Sequence, residues 1–235
     1  MRAKPSALIY SGGYSHPFAE TTSVLSGYAE MSGFALVVEE DIDAAIARLA
    51  EVDLLVVNAL YWGMTQYERY APHRERWAYV LPDTHMAALR NFVVRGGALL
   101  VMHTGTICWD TQPDWIRLMG GGWSWERSYH PPLGDAVVEL TAEGRRYSNG
   151  PSHFALVDEV YHRLDPSTDC TVLANGDVGE GAQPVAWVRR EGAGRVAVDA
   201  LGHDARSLTA PGHAALIMGL LAWLRVRATG EGEDA

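Results

Sequence analysis

Of the nine histidines in this chain, four stand where chemistry could use them. His16 follows Ser11-Gly12-Gly13, His103 opens His103-Thr104-Gly105, and His203 precedes Asp204; each comes just after an apolar run, at 7–10, 98–102 and 195–201 respectively. A polar ring at the end of such a run must find a partner or cost about 1–3 kcal/mol. His130, in Tyr129-His130-Pro131-Pro132, lies in an irregular aromatic stretch. A second polar cluster is Asp158-Glu159 with Tyr161. Side chains alternate along a strand, so Glu159 and Tyr161 share a face that Asp158 does not. A carboxylate can then serve as general base beside a phenol donor. His103, Glu159 and His203 form the candidate acid–base set. His16, His103, His130 and His203 are the candidate ligands of a divalent metal, zinc or manganese, since imidazole suits both directly or with carboxylate help. No short-range motif of the H-E-x-x-H kind is present, so such a site depends on the fold bringing distant residues together. His73, His85, His153, His162 and His213 read as surface, turn or helix residues.

Binding residues are suggested by glycine and tryptophan. Gly12-Gly13 permits close approach of a ligand to backbone at a helix start, but without the G-x-G-x-x-G spacing it does not indicate a dinucleotide. Six of the eight tryptophans fall between Trp62 and Trp125. Their flat rings can stack on a sugar while the indole N–H donates. Gly12, Gly13, His16, Trp62, Thr104, Trp109 and Tyr161 are therefore the expected substrate contacts.

The elements that must position these residues alternate in the first half. Strand patterns at 7–10, 35–38, 53–59 and 98–102 are separated by helix patterns at 17–31, 43–49, with Asp43 as cap, and 83–95, with Asp83 or Thr84 as cap. Near-continuous Leu/Val runs indicate strands buried on both faces, hence a parallel sheet covered by helices. In such sheets ligands sit beyond the carboxyl ends of the strands, where the three histidines are expected to converge. The second half reads as further sheet strands plus antiparallel additions, at 135–140, 153–160, 171–174, 184–188 and 195–201, closed by a helix over 211–227. The long connections 61–82 and 104–132 suit either a pocket lid or a homo-oligomer interface. One domain over 1–229 with a frayed acidic tail at 230–235 is expected.

Composition narrows the function classes. The net charge is −10, with Lys4 the only lysine and the arginines scattered, which argues against nucleic acid. No apolar run reaches the roughly 20 residues that span a bilayer. Two cysteines, Cys108 and Cys170, make no disulfide scaffold and suit a reducing compartment, so a cytoplasmic location is expected.

Ser11-Gly12-Gly13 with His16-Pro17, Gly96-Gly97 before Val101-Met102-His103-Thr104-Gly105, Asp158-Glu159-Val160-Tyr161, Pro184-Val185-Ala186-Trp187, and Gly194-Arg195-Val196 leading to Leu201-Gly202-His203 together resemble the ThuA-like, trehalose-utilisation family over about residues 6–225. The resemblance implies a flavodoxin-like, doubly wound, mostly parallel sheet similar to class I glutamine amidotransferases. Those enzymes carry a nucleophilic cysteine on the turn after a central strand; here that turn is Met102-His103-Thr104, and Cys108 lies beyond it. A glutaminase is therefore disfavoured. The resemblance also implies sugar catabolism through 3-keto-glycosides, paired with a sugar dehydrogenase. The resulting expectation is an isomerase, lyase or hydrolase using His/Glu acid–base chemistry. The alternative is a non-catalytic carbohydrate-binding or regulatory domain, and a third reading is a metal-dependent hydrolase acting on something other than sugar.

Overall fold

The computed structural model describes residues 4–225; the expected acidic tail at 230–235 lies outside them. The first half runs β1 (Ser6–Gly13), α1 (Phe18–Met31), β2 (Ala35–Glu39), α2 (Ile42–Ala47), β3 (Leu54–Leu60), α3 (Arg74–Trp77), α4 (Asp83–Val94) and β4 (Ala98–Met102). There follow α5 (Pro113–Met119), β5 (Gly134–Leu140), α6 (Gly144–Tyr147), β6 (His153–Asp158), β7 (Thr171–Asp177), β8 (Gln183–Glu191), β9 (Gly194–Asp199), α7 (Ala205–Thr209) and α8 (Pro211–Arg225). Among the described residues the nine strands form one sheet in the order β2-β1-β3-β4-β9-β8-β7-β5-β6.

The sheet has two regimes. β2, β1, β3, β4 and β9 pair in parallel, and every residue of β3, β4 and β9 is buried. From β9 outward the pairing is antiparallel, and β5 and β6 alternate buried with exposed or part-exposed residues, as one-sided strands do. This is the doubly wound arrangement with antiparallel additions that the periodicity indicates, consistent with the flavodoxin-like fold that the resemblance implies. Two apolar clusters fill the opposite faces. Leu8, Leu55, Val57 and Val101 meet α4 through Leu89 and Val93 on one, and Ile9, Val56 and Leu100 meet α1 and α8 through Leu25 and Leu220 on the other. Each such fully buried aliphatic side chain contributes about 1.5–3 kcal/mol by leaving water.

Two helix starts differ from expectation. Asp41, not Asp43, caps α2, accepting from the Ala44 N–H at 3.0 Å. Pro82 precedes α4, and neither Asp83 nor Thr84 caps it; the fixed proline φ sets the entry angle there instead. The long connections are not structureless: 61–82 contains α3 and 104–132 contains α5. Asp110 ties them together. Its Oδ1 accepts from the Gly63 N–H (2.8 Å), while its Oδ2 accepts from Gln66 and the Trp125 indole (3.0 Å).

Strand order reverses around β1, whose neighbours β2 and β3 lie on either side, so the carboxyl ends of β1 and β3 flank the natural crevice. Gly13 closes β1 at φ +118, and a Cβ there would lie 2.2 Å from the Leu60 carbonyl oxygen. The glycine is thus required by close approach of β1 to β3, and it turns the chain toward His16.

Candidate active site

The turn after β4 places His103 at φ +38, an uncommon conformation for a residue with a Cβ. The turn is tight because Gly105 packs under it, where a Cβ would meet Val101 Cγ1 at 2.7 Å and the Val57 carbonyl at 2.9 Å. The ring of His103 is buried. Its Nδ1 hydrogen-bonds the Ala200 carbonyl (2.9 Å), so the Nδ1–H tautomer is fixed and Nε2 faces the Tyr161 hydroxyl at 3.0 Å. The two rings stack with centroids 4.6 Å apart.

Glu159 is the hub. It stands just past the end of β6, and four imidazoles surround its carboxylate: His203 Nε2 at 3.5 Å, His103 Nε2 and His130 Nδ1 at 3.7 Å, and His16 Nε2 at 3.9 Å. These are ion-pair separations rather than hydrogen bonds. Asp158 points the other way, as alternation requires, and is fully buried. Its Oδ2 accepts from the Gly202 N–H (2.7 Å) and the Ser207 hydroxyl; its Oδ1 accepts from the Glu159 N–H (2.8 Å) and the His203 N–H (3.3 Å). One carboxylate thereby locks the backbone of both Glu159 and His203. Behind it, His213 Nε2 contacts Asp199 at 3.0 Å, with both side chains fully buried.

Electrostatics separate the roles. Burial opposes a charged Glu159, but the close imidazoles of His103, His16 and His130 outweigh burial, and its pKa lies well below the usual carboxylate range. Burial pushes Tyr161 well above the usual phenol value, helped by the charges of Glu159 and Asp158, so it stays a proton donor. Burial also lowers His16, with the charges of His103 and His203 adding to the effect. For His103, burial is outweighed by Glu159, Asp158 and the Ala200 carbonyl, and its pKa rises.

Above this cluster opens a cavity of about 420 Å³, within the range of small-molecule sites. Its walls are aromatic, from Tyr14, Trp62, Tyr67, Tyr70, Trp123, Trp125 and Tyr129; His16, His130, Glu159, Tyr161 and His203 supply the polar lining. The Trp123 indole N–H is buried without a partner. The stretches 61–82 and 104–132 therefore build the cavity wall.

Of the expected residues, His16, His103, His130, His203, Glu159, Tyr161 and Trp62 are brought together. Four others take structural positions. Trp109 is buried in the core between Tyr10 and Trp115, away from the cavity lining. The Thr104 hydroxyl donates to the Ala59 carbonyl (2.9 Å), bracing the turn that carries His103. Gly12 lies under the Tyr61 hydroxyl and Gly13 against Leu60, so both serve the approach of β1 to β3. Sequence reasoning missed Tyr14, Tyr67, Tyr70 and Tyr129, which sit in irregular segments without periodicity. It also missed the buried His213; the only hint was its place directly before the apolar run 214–224.

Comparison with known proteins agrees with this architecture. A ThuA-like protein from Parabacteroides merdae superposes with a TM-score of 0.71 at 15% identity, covering 99% of this chain and 93% of that one. A second from Bacteroides uniformis gives 0.68 at 16%, covering 95% and 94%. A β-galactosidase from Bacillus circulans shares the fold over 30% of its own length, with a TM-score of 0.53, 16% identity and 94% of this chain covered. No curated protein matches the sequence. The family model described as trehalose utilisation matches residues 6–224, and the chain belongs to the ThuA family.

Proposed function

We infer that the protein is a carbohydrate-catabolism enzyme that enolises a 3-keto-glycoside or a related oxidised sugar at C2, leading to isomerisation or loss of the C1 substituent. The observation that carries this reading is the ionised Glu159 beside the buried Tyr161–His103 pair at the floor of an aromatic cavity. A neutral sugar suits such walls: C–H faces stack on Trp62 and Trp125, and the unpaired Trp123 N–H offers a donor. A 3-keto group acidifies the C2 proton. Glu159 takes that proton, and the C–H electron pair becomes the enolate. The Tyr161 O–H hydrogen-bonds the developing oxygen, and His103 Nε2, 3.0 Å behind the phenol oxygen, holds the ring in place. Protonation at C2 returns or epimerises the sugar, protonation at C3 gives the 2-keto isomer, and use of the enolate electron pair to expel the C1 substituent gives an enone; which step follows decides the product. The substrate would be supplied by a dehydrogenase that oxidises the sugar hydroxyl at C3.

A non-catalytic sugar-binding domain would use the same aromatic walls, but it has no need of a buried phenol–imidazole pair aimed at a carboxylate. The test is proton NMR of a 3-keto-glucoside in D₂O. Enzyme-dependent loss of the C2 proton signal, abolished by Glu159→Gln, supports the reading. Exchange no faster than buffer, with the sugar still bound, favours the binding domain.

A further inference from the structure

We propose that His16 Nε2, His203 Nε2 and the Glu159 carboxylate form a three-ligand site for one first-row divalent transition-metal ion, open toward the aromatic cavity. Among the described residues these three offer ligand atoms all within 4.8 Å of one another. They come from three separate strand ends, after β1, β6 and β9.

Two histidines and one carboxylate are a donor set that first-row divalent ions take readily, with bonds of about 2.0–2.2 Å. Two ligand atoms on one ion therefore stand at most about 4.2 Å apart. Glu159 Oε2 lies 3.9 Å from His16 Nε2 and Glu159 Oε1 3.5 Å from His203 Nε2, and with one atom from each residue within 4.8 Å of the others a single ion reaches all three after contraction.

For His16 the hydrogen bonding points the same way, whereas His203 Nδ1 is buried without a partner. His16 Nε2 is buried and has no hydrogen-bond partner, whereas its Nδ1 lies 3.4 Å from the Tyr14 carbonyl. That pattern, with one ring nitrogen turned to a backbone carbonyl and the other bare and aimed at a carboxylate, is how metal-bound histidines are oriented. The other two histidines differ. His103 has Ala200 on one nitrogen and Tyr161 on the other, so both its nitrogens are already engaged, and it does not belong to the three-residue group. His130 sits on the exposed rim with Nδ1 on the Pro131 carbonyl at 2.9 Å. The four-histidine set expected from sequence is thus narrowed to two, and Glu159 joins them.

The ligands are also held in advance. Asp158 accepts from the backbone N–H of both Glu159 and His203, and a site braced before the ion arrives binds it more tightly. Three protein ligands leave room for an oxygen of the bound molecule, so the ion would polarise a carbonyl or hold an alkoxide. That last role rests on the proposed sugar chemistry, in which Glu159 would hold the ion through one carboxylate oxygen and take the proton on the other; the binding of the ion does not.

The test uses untagged full-length protein stripped with chelator, titrated calorimetrically with Mn²⁺ and with Zn²⁺, together with pulsed electron paramagnetic resonance of the Mn²⁺ form. One equivalent of ion, with hyperfine coupling from imidazole nitrogen, is expected. His16→Gln and His203→Gln should each weaken binding at least about 10–100-fold, the loss usual even for removing a residue that only supports a ligand, while His130→Ala changes it less than threefold. Thermal melts identify any variant that fails to fold, and for such a variant the nitrogen coupling in the wild type decides. Absence of stoichiometric binding, absence of nitrogen coupling, or binding unchanged in both glutamine variants overturns the proposal. Because no turnover is read, these outcomes are independent of the sugar exchange assay. Metal bound without C2 exchange would leave the site standing and remove the enolisation reading.

Discussion

Asp158 is the residue whose loss the structure makes most costly. Its two oxygens accept four hydrogen bonds, from the N–H groups of Gly202, Glu159 and His203 and from the Ser207 hydroxyl, and no part of it reaches solvent. An ionised carboxylate only accepts, which matches four donors; an asparagine amide offers one oxygen and two N–H donors. In Asp158→Asn, whichever way the amide turns, two donors face an N–H₂ group. Each hydrogen bond to a charged group is worth about 1.5–3 kcal/mol, so losing two costs about 3–6 kcal/mol. The Ser207 hydroxyl can rotate to accept from the new amide, which favours the lower end. Ser207→Ala removes a single donor and leaves the carboxylate three, a cost of about 1.5–3 kcal/mol. Since domains are stable by only about 5–15 kcal/mol, the asparagine variant should sit near the edge of folding. Urea unfolding followed by tryptophan fluorescence at neutral pH measures both, provided the slope with denaturant is unchanged. An asparagine variant within about 1 kcal/mol of wild type, or less affected than Ser207→Ala, would show that Asp158 is not the ionised anchor inferred from its donors.

Three further outcomes are expected. Trp125→Ala should weaken sugar binding about tenfold, or 1.4 kcal/mol, by calorimetry, whereas Trp109→Ala should cost about 3–5 kcal/mol of stability without changing the affinity of the folded protein; the reverse pattern would mean the cavity walls are misassigned. Tyr161→Phe should slow C2 exchange by about 10²-fold or more while lowering stability by only about 1 kcal/mol, and unchanged exchange would remove the phenol from the chemistry. For His213, burial is outweighed by the charge and hydrogen bond of Asp199, with Asp158 and the Ser207 carbonyl adding to them, and its folded pKa is raised. Its contribution to stability is therefore complete below the unfolded value of about 6.5 and is lost as pH rises through the higher folded value. Urea midpoints between pH 6 and 9 should fall more steeply in wild type than in His213→Gln, and superposable profiles would count against a charged pair.

Much of this was legible because strand ends announce themselves. His16, His103 and His203 each follow an apolar run, and a parallel sheet gathers the ends of such runs on one edge. Glu159 and Tyr161 could be paired, and Asp158 set apart, from two-residue alternation alone, even though β6 ends at Asp158. The aromatic wall was half visible. Tryptophan density marked the stretch, but composition cannot tell Trp125, which lines the cavity, from Trp109, which the tight turn carries into the core at φ +55. The glycines misled for a related reason: Gly13 signals a close backbone approach in either case, and only the structure shows that Leu60, rather than a ligand, does the approaching. His213 was hidden because nothing in its own helix reveals Asp199, its partner at the end of β9.

The position of β9 in the sheet has a consequence for synthesis. β4 is paired on one side by β3 and on the other by β9, so its second edge has no partner until residues 194–199 exist. At about 5–20 residues per second the ribosome needs roughly 5–18 s to make the intervening residues 103–193. During that interval the emerging chain carries Ala-Leu-Leu-Val-Met as an open edge, the kind of surface that recruits neighbouring strands. Nascent chains stalled before residue 194 should therefore be chaperone-bound and protease-sensitive, and become resistant once β9 and its covering helix α8 clear the exit tunnel.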